Sequence, residues 1–159
     1  MLWTIVMNSG LVHYFGALTF PMNIVVLSRD TKLYSTKRLV EACEIRGHNV
    51  RVINHIKCDI FIEKKNPQII YGGESITDVD AVIPRIGASV TFYGTAVVRQ
   101  FEMMKVFTTI ESQALVRSRD KLRSMQILTR SGVGIPKTVF TNYSKDVGSV
   151  VDSVGGAPC

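Results

Sequence analysis

The sequence is poor in the residues that most often announce chemistry. Its three cysteines, Cys43, Cys58 and Cys159, are odd in number and form no C-x-x-C pair, so neither a disulfide framework nor a metal knuckle is indicated. The three histidines, His13, His48 and His55, have no companion at ligand spacing, which argues against metal ligation. There is no G-x-G-x-x-G, Walker A, H-E-x-x-H or nucleophile-elbow motif. The first of these absences disfavours a nicotinamide-binding dehydrogenase. Internal repeats and low-complexity segments are also missing. Thiols without a pairing pattern fit a reducing cytoplasm.

What remains is a chain of 159 residues, 46% hydrophobic and 20% charged. That is enough for one domain with a core, or one domain and the start of another, and it excludes disorder. The net charge of +6 admits an acidic partner, whether nucleic acid, nucleotide or acidic peptide, without choosing among them. The first 21 residues are apolar and hold no Lys or Arg. A secretory signal needs a basic start and a small-residue cleavage site, and Asn8, Ser9, Gly10 and His13 interrupt any membrane span. Met22 directly precedes a strand pattern. The expectation is that Met22 is the natural start and 1–21 an upstream extension outside the fold; an N-terminal anchor is the lesser alternative.

From Met22 onward, short apolar runs alternate with helical periods. Asn23–Leu27 (NIVVL) reads as a buried strand, followed by a helix capped by Ser35 and ending at Gly47. Leu39, Ala42 and Cys43 share one face of that helix, with Cys43 as a small core residue. Asn49–Asn54 is a second strand. The stretch from Cys58 to Ile76 is broken by Pro67 and by Gly72-Gly73, which predicts a hairpin or meander at a sheet edge. Asp80–Pro84 is a third buried strand, and a helix with Val97, Phe101 and Met104 on one side runs from about Tyr93 to Lys105. Val106–Thr109 reads as a fourth strand, followed by a helix through Ala114 and Val116. Ser118 or Asp120 caps another helix carrying Leu122, Met125 and Leu128. Lys137–Thr141 is expected as a strand and Val147–Val154 as a last helix. The pattern predicts an α/β fold with a parallel sheet covered on both faces. The character changes near Ser112–Asp120, where basic residues concentrate (Arg117, Arg119, Lys121, Arg123 and Arg130 against Asp120 alone), and a domain boundary is placed there. A final strand and helix cannot bury both their faces alone, so the chain is expected to be the first part of a longer protein.

Arg85 carries the most chemistry. Ligands of open α/β sheets bind beyond the carboxyl ends of the strands, and Arg85 lies one residue past the strand that ends at Pro84. Ser89 or Thr91 can cap the next helix, whose positive end favours an anion. A guanidinium there suits carboxylate or phosphate; the competing reading is a surface arginine paired with an acid such as Asp80. Ser28, Arg29 and Asp30 leave the first strand along the same rim, with Asp30 read as an ordinary loop residue. Lys121 opens an amphipathic helix within the basic cluster and can reach a nucleotide phosphate, though a solvated helix face explains it equally simply.

Four stretches together are more specific than any single motif: "VVLSRD" with "LYSTKRLVEAC", "DAVIPRIGASVTFYGTAVVRQFEMM", "SRDKLRSMQILTRSGVGIPKT" and "VGGAP". With these the sequence closely resembles the RimK-type ribosomal-protein glutamate ligases of the ATP-grasp superfamily. The resemblance runs from Met22 to Pro158 and does not cover 1–21. It implies a Rossmann-like pre-ATP-grasp domain over 22–117 and the start of an ATP-grasp domain over 118–159. It implies an enzyme that activates a carboxylate as an acyl phosphate, using ATP with Mg²⁺ or Mn²⁺. The amine of glutamate then displaces phosphate, and the implied acceptor is the C-terminal glutamate of a small-subunit ribosomal protein. The enzyme would be cytoplasmic, without a membrane segment, and a homo-oligomer when full length. Lys121, in "RDK", matches the first ATP-contacting lysine of related enzymes, and Arg85, in "IPRIG", matches a rim position facing the carboxylate substrate. The second ATP lysine and the metal ligands would lie beyond Pro158, so catalytic residues and metal ligands are expected to be absent here and the chain inactive alone. The sequence departs from the family in carrying Ile110 where an asparagine usually precedes the Glu-Ser pair. A sister ligase acting on a cofactor or carrier protein, and a noncatalytic basic α/β binding module, remain the alternatives.

Overall fold

The structure is a computed structural model that describes residues 20–143 and 145–156. All but the last two residues of the apolar leader, together with Cys159, lie outside them.

Strand β1 (Asn23–Leu27) is central. It pairs in parallel with β2 (Asn49–Ile53) on one side and β6 (Ala81–Pro84) on the other, and the two-residue β7 (Phe107–Thr108) adds beyond β6, giving the order β2-β1-β6-β7. Helix α1 (Tyr34–Ile45) connects β1 to β2, and α2 (Thr91–Met103) connects β6 to β7. The two helices cover opposite faces, as the run of β-branched residues in β1 requires. On the α2 side, Val25, Leu27 and Val82 pack with Val97, Val98 and Phe101. On the α1 side, Ile24 and Ala81 pack with Cys43. The parallel sheet expected from the sequence is present.

A second, antiparallel sheet follows β2: β3 (Cys58–Phe61), β4 (Gln68–Tyr71) and β5 (Glu74–Ser75). Gly72 and Gly73 both have positive φ, 62° and 87°, the conformation a two-residue hairpin of matching twist demands. Helix α2 holds this meander through buried polar groups. Gln100 Nε2 donates to the carbonyls of Phe61 at 2.8 Å and Gln68 at 3.0 Å, and the Tyr93 hydroxyl donates to the Cys58 carbonyl at 2.6 Å.

Helices α3 (Ser112–Arg119), α4 (Lys121–Arg130) and α5 (Val147–Val154) complete the described elements. Glu102, on α2, caps α3 from outside: its carboxylate accepts from the Ser112 amide at 2.6 Å and the Ser112 hydroxyl at 2.7 Å. Asp120 caps α4 by accepting from the Arg123 amide.

Some expectations need correction. Ser35 lies inside the first turn of α1, whose N-cap is Leu33, and its hydroxyl is engaged elsewhere. Neither Ser89 nor Thr91 caps α2; the N-cap is Val90, and the Thr91 hydroxyl donates back to the Ala88 carbonyl at 2.9 Å. The segment 137–141 is not a strand, because no described strand lies alongside it to complete a ladder, and its β-branched composition cannot supply one.

Pro84 sits in an interior strand at no cost in hydrogen bonding. Arg85 donates to Leu27 on the β1 side, whereas Val82 accepts from Thr109 on the β7 side. By alternation, the missing N–H of Pro84 faces the β7 side, past the register where β7 ends. Close by, Gly94 lets α2 seat against the loop after β6: a Cβ there would lie 2.4 Å from Ile86 Cγ2. Gly94→Ala is therefore expected to lower stability, by about 1–3 kcal/mol of overpacking set against about 1 kcal/mol of helix propensity gained. Urea unfolding of the two proteins checks this, and a stabilised alanine variant would contradict the seating of α2 on Ile86.

Candidate functional site

The chain leaves β1 toward β2 and leaves β6 toward β7, in opposite directions across the sheet. The crevice between the carboxyl ends of β1 and β6 is therefore the topological switch point, the place where open α/β sheets bind ligands. Leu27 and Pro84 face each other at these ends, so Ser28 and Arg85 emerge side by side.

Arg85 is exposed, and its guanidinium donates to Ser35 Oγ at 2.7 Å, drawing it to the first turn of α1. It does not pair with Asp80, whose carboxylate accepts from the Asn23 amide at the far end of the strands. Arg29 occupies the same rim. Its guanidinium lies across Gly87, where an added Cβ would be 3.3 Å from Arg29 Nη2. Among the described residues no carboxylate stands within ion-pair distance of Arg29 or Arg85; the ion pair present joins Arg38 to Glu41 on α1. Asp30, at the rim, accepts from the Lys32 amide and shapes the loop, as the sequence suggested.

Beneath the loop, the hydroxyls of Ser28 and Thr36, both buried, bond at 2.9 Å and tie β1 to α1. The first turn of α1 carries no acidic residue and no side-chain cap. Its free N–H groups thus add positive potential at the crevice. His55, just past β2, is fully buried, and neither ring nitrogen has a partner among the described residues. Burial, and then the nearby Arg29 charge, lower its pKa below the ordinary value, so the ring is neutral at pH 7. Cys58 is buried as well, and burial followed by the Asp59 charge pushes its thiol up to about 11, which removes it as a nucleophile.

Lys121 is the first residue of α4 and is exposed. The structure shows no contact between it and Arg85. A link runs through Arg119, two residues earlier, whose guanidinium donates to the Ile86 carbonyl at 2.7 Å and so joins the end of α3 to the loop after Arg85. Sequence reasoning had placed Arg29 on the rim without giving it a role. It missed Arg119 and the Ser35 contact altogether, since both arise from pairings distant along the chain. Two open clefts lie elsewhere, one between α2 and α3 around Phe92 and Ala96, the other between α4 and the 135–140 segment. Arg29, Arg85 and Lys121 line neither.

Residues 22–115 match the family model described as "RimK PreATP-grasp domain". A protein named "Probable alpha-L-glutamate ligase" from Vibrio cholerae serotype O1 is 60% identical over 137 residues, covering 86% of this chain and 46% of that protein. One of the same name from Hydrogenovibrio crunogenus is 58% identical with the same coverage. The chain thus spans about half the length of the curated relatives it matches. Among solved structures, the ATP-grasp ligase PsnB complexed with a phosphomimetic variant of minimal precursor, Mg and ADP aligns with a TM-score of 0.63 at 18% identity, over 86% of this chain and 52% of that one. That likeness concerns the fold.

The buried His55 generates a pH dependence. Its pKa is lowered by folding, so above the unfolded value of about 6.5 the ring is neutral in both states. As pH falls below that value the unfolded chain takes up a proton that the folded chain resists, and stability declines. Urea midpoints are expected to fall from pH 7.5 to pH 5.5 in the native protein and to fall less in His55→Phe. Equal slopes would contradict a buried neutral imidazole.

Proposed function

Since the chain belongs to the RimK PreATP-grasp family, we propose that the protein carrying it is an ATP-dependent carboxylate–amine ligase. On this reading it adds glutamate to the C-terminal glutamate of a small-subunit ribosomal protein, in the cytoplasm, through an acyl phosphate. The observation that carries the proposal is the switch-point crevice, where Arg85 is held on α1 by Ser35 and faces no carboxylate among the described residues. Such a crevice suits an acidic substrate. Residues 22–117 would form the substrate-side domain and 118–159 the start of the nucleotide-side domain.

In this reaction ATP would supply the phosphoryl group that turns a poor leaving group into a good one. This chain's share is binding and orientation. Lys121, exposed in the first turn of α4, fits a contact to a nucleotide phosphate. Arg85 would fix the acceptor carboxylate. The divalent metal, Mg²⁺ or Mn²⁺, is a different matter. Among the described residues no group of three or more His, Cys, Asp or Glu could hold it, so these residues do not fit it and no step is assigned to them through it. We therefore expect the 159-residue chain alone to bind substrate without ligating. Assembly as a homo-oligomer belongs to the same proposal.

The test is intact-mass spectrometry of small-subunit ribosomal proteins from cells with and without the gene. A ladder of added glutamates should vanish with the gene; an unchanged mass would overturn the acceptor assignment. With the purified chain, ATP, Mg²⁺, glutamate and a glutamate-ended peptide should yield no ADP release coupled to peptide extension. In the active protein, Lys121→Ala should raise the KM for ATP about tenfold, as expected for one lost charge-assisted phosphate contact.

A further inference from the structure

The rim holds two guanidinium groups, and the function argued above uses one. Arg85 directly follows Pro84 and Arg29 lies two residues past Leu27, so both leave the paired ends of adjacent strands onto one rim. Both are exposed, and neither has a carboxylate within ion-pair distance among the described residues. Each is positioned by something other than an acid. Arg85 is held by the Ser35 hydroxyl, and Arg29 lies across the bare backbone of Gly87. The Arg29 carbonyl accepts from Asn54 Nδ2 at 3.5 Å, tying its backbone to the end of β2. Below them, His55 is buried with both nitrogens unpartnered, so it offers no negative charge to balance either arginine. Two like charges on one rim with no acid to offset them favour an anion there.

We propose that Arg29 and Arg85 act as a two-pronged clamp for a peptide ending in an acidic residue, one guanidinium for the terminal carboxylate and one for the side-chain carboxylate. Each arginine can engage a carboxylate through two parallel N–H donors, which a lysine cannot match. Main-chain and side-chain carboxylates of one terminal residue carry two charges a few bonds apart, one for each prong, whereas a lone carboxylate supplies one. The inference rests on the acceptor assignment above and adds to it that Arg29 is a specificity-determining residue. Gly87 bears on the same geometry: its φ of −74° is ordinary for any residue, and a Cβ there would press on the Arg29 guanidinium at 3.3 Å and shift it.

The test measures binding of three short peptides to the full 159-residue chain by calorimetry at physiological ionic strength: one ending in glutamate, one ending in glutamine, and one ending in glutamate amide. The native chain is expected to prefer the first by about tenfold over each of the others, the effect of one charge-assisted contact. Arg29→Gln and Arg85→Gln should each weaken the glutamate-ended peptide by about tenfold. Each should also stop distinguishing that peptide from one of its two neutralised analogues, a different one for each arginine. Gly87→Val, which crowds Arg29 without straining the backbone, should reproduce Arg29→Gln. Arg38→Gln, which removes an equal charge already paired on α1, should change nothing. Circular dichroism confirms folding of each variant. The clamp is overturned if the native chain binds no peptide, if Arg29→Gln binds like the native chain, or if every variant loses the same factor for all three peptides. Lost discrimination in these variants alongside unchanged ribosomal-protein masses on gene loss would sink the acceptor assignment and leave the clamp standing. The converse pair of results would do the reverse.

Discussion

Leu27 and Pro84 stand opposite each other at the ends of two parallel strands, and the Arg85 amide donates to the Leu27 carbonyl at 2.8 Å. This register decides the rest. A slip of β1 by one residue would turn Val25 and Leu27 away from α2, and Val82 would lose its partners on that face. With the register fixed, the loops after β1 and β6 emerge together, one bearing Arg29 and the other Arg85. The helices that follow turn to opposite faces, which opens the crevice between them. Fold and site are therefore one constraint seen from two ends of the same strands.

The crevice combines a neutral floor with a positively charged rim. The Ser28–Thr36 hydroxyl pair and the neutral His55 sit below, and the guanidinium groups and the uncapped turn of α1 sit above. This separation avoids placing a charge where desolvation would be severe. It also leaves the arginines in a partly screened setting, where attraction for an anion is sensitive to salt.

Much of this was legible in the sequence, for identifiable reasons. Asn23–Leu27, Asp80–Pro84 and the helix containing Val97 and Phe101 announce themselves by period, and their order predicts the parallel sheet. The position of Arg85 followed from the strand's end. What failed were local rules overridden by contacts distant in sequence. Ser35 is a residue type favoured at caps, yet it serves Arg85. The first N–H of α3, that of Ser112, is met by Glu102, ten residues earlier, which no capping rule would find. Lys137–Thr141 has strand composition, but a strand is defined by its neighbour, and composition cannot say whether one lies alongside. Which strands flank β1, and hence where the switch point falls, was likewise hidden until the pairing was known.

Gln100 bridges the carbonyls of Phe61 and Gln68, the pair that closes the loop end of the β3–β4 hairpin, from a buried position on α2. The hairpin cannot peel away without stranding that amide and both acceptors, and the Tyr93 hydroxyl adds a second such anchor at Cys58. Two short strands at the edge of a domain would ordinarily exchange their amide hydrogens by local fraying. Here α2 holds both ends of the hairpin, so fraying of these strands is coupled to the opening of that helix, and a surface hairpin reports on a core element.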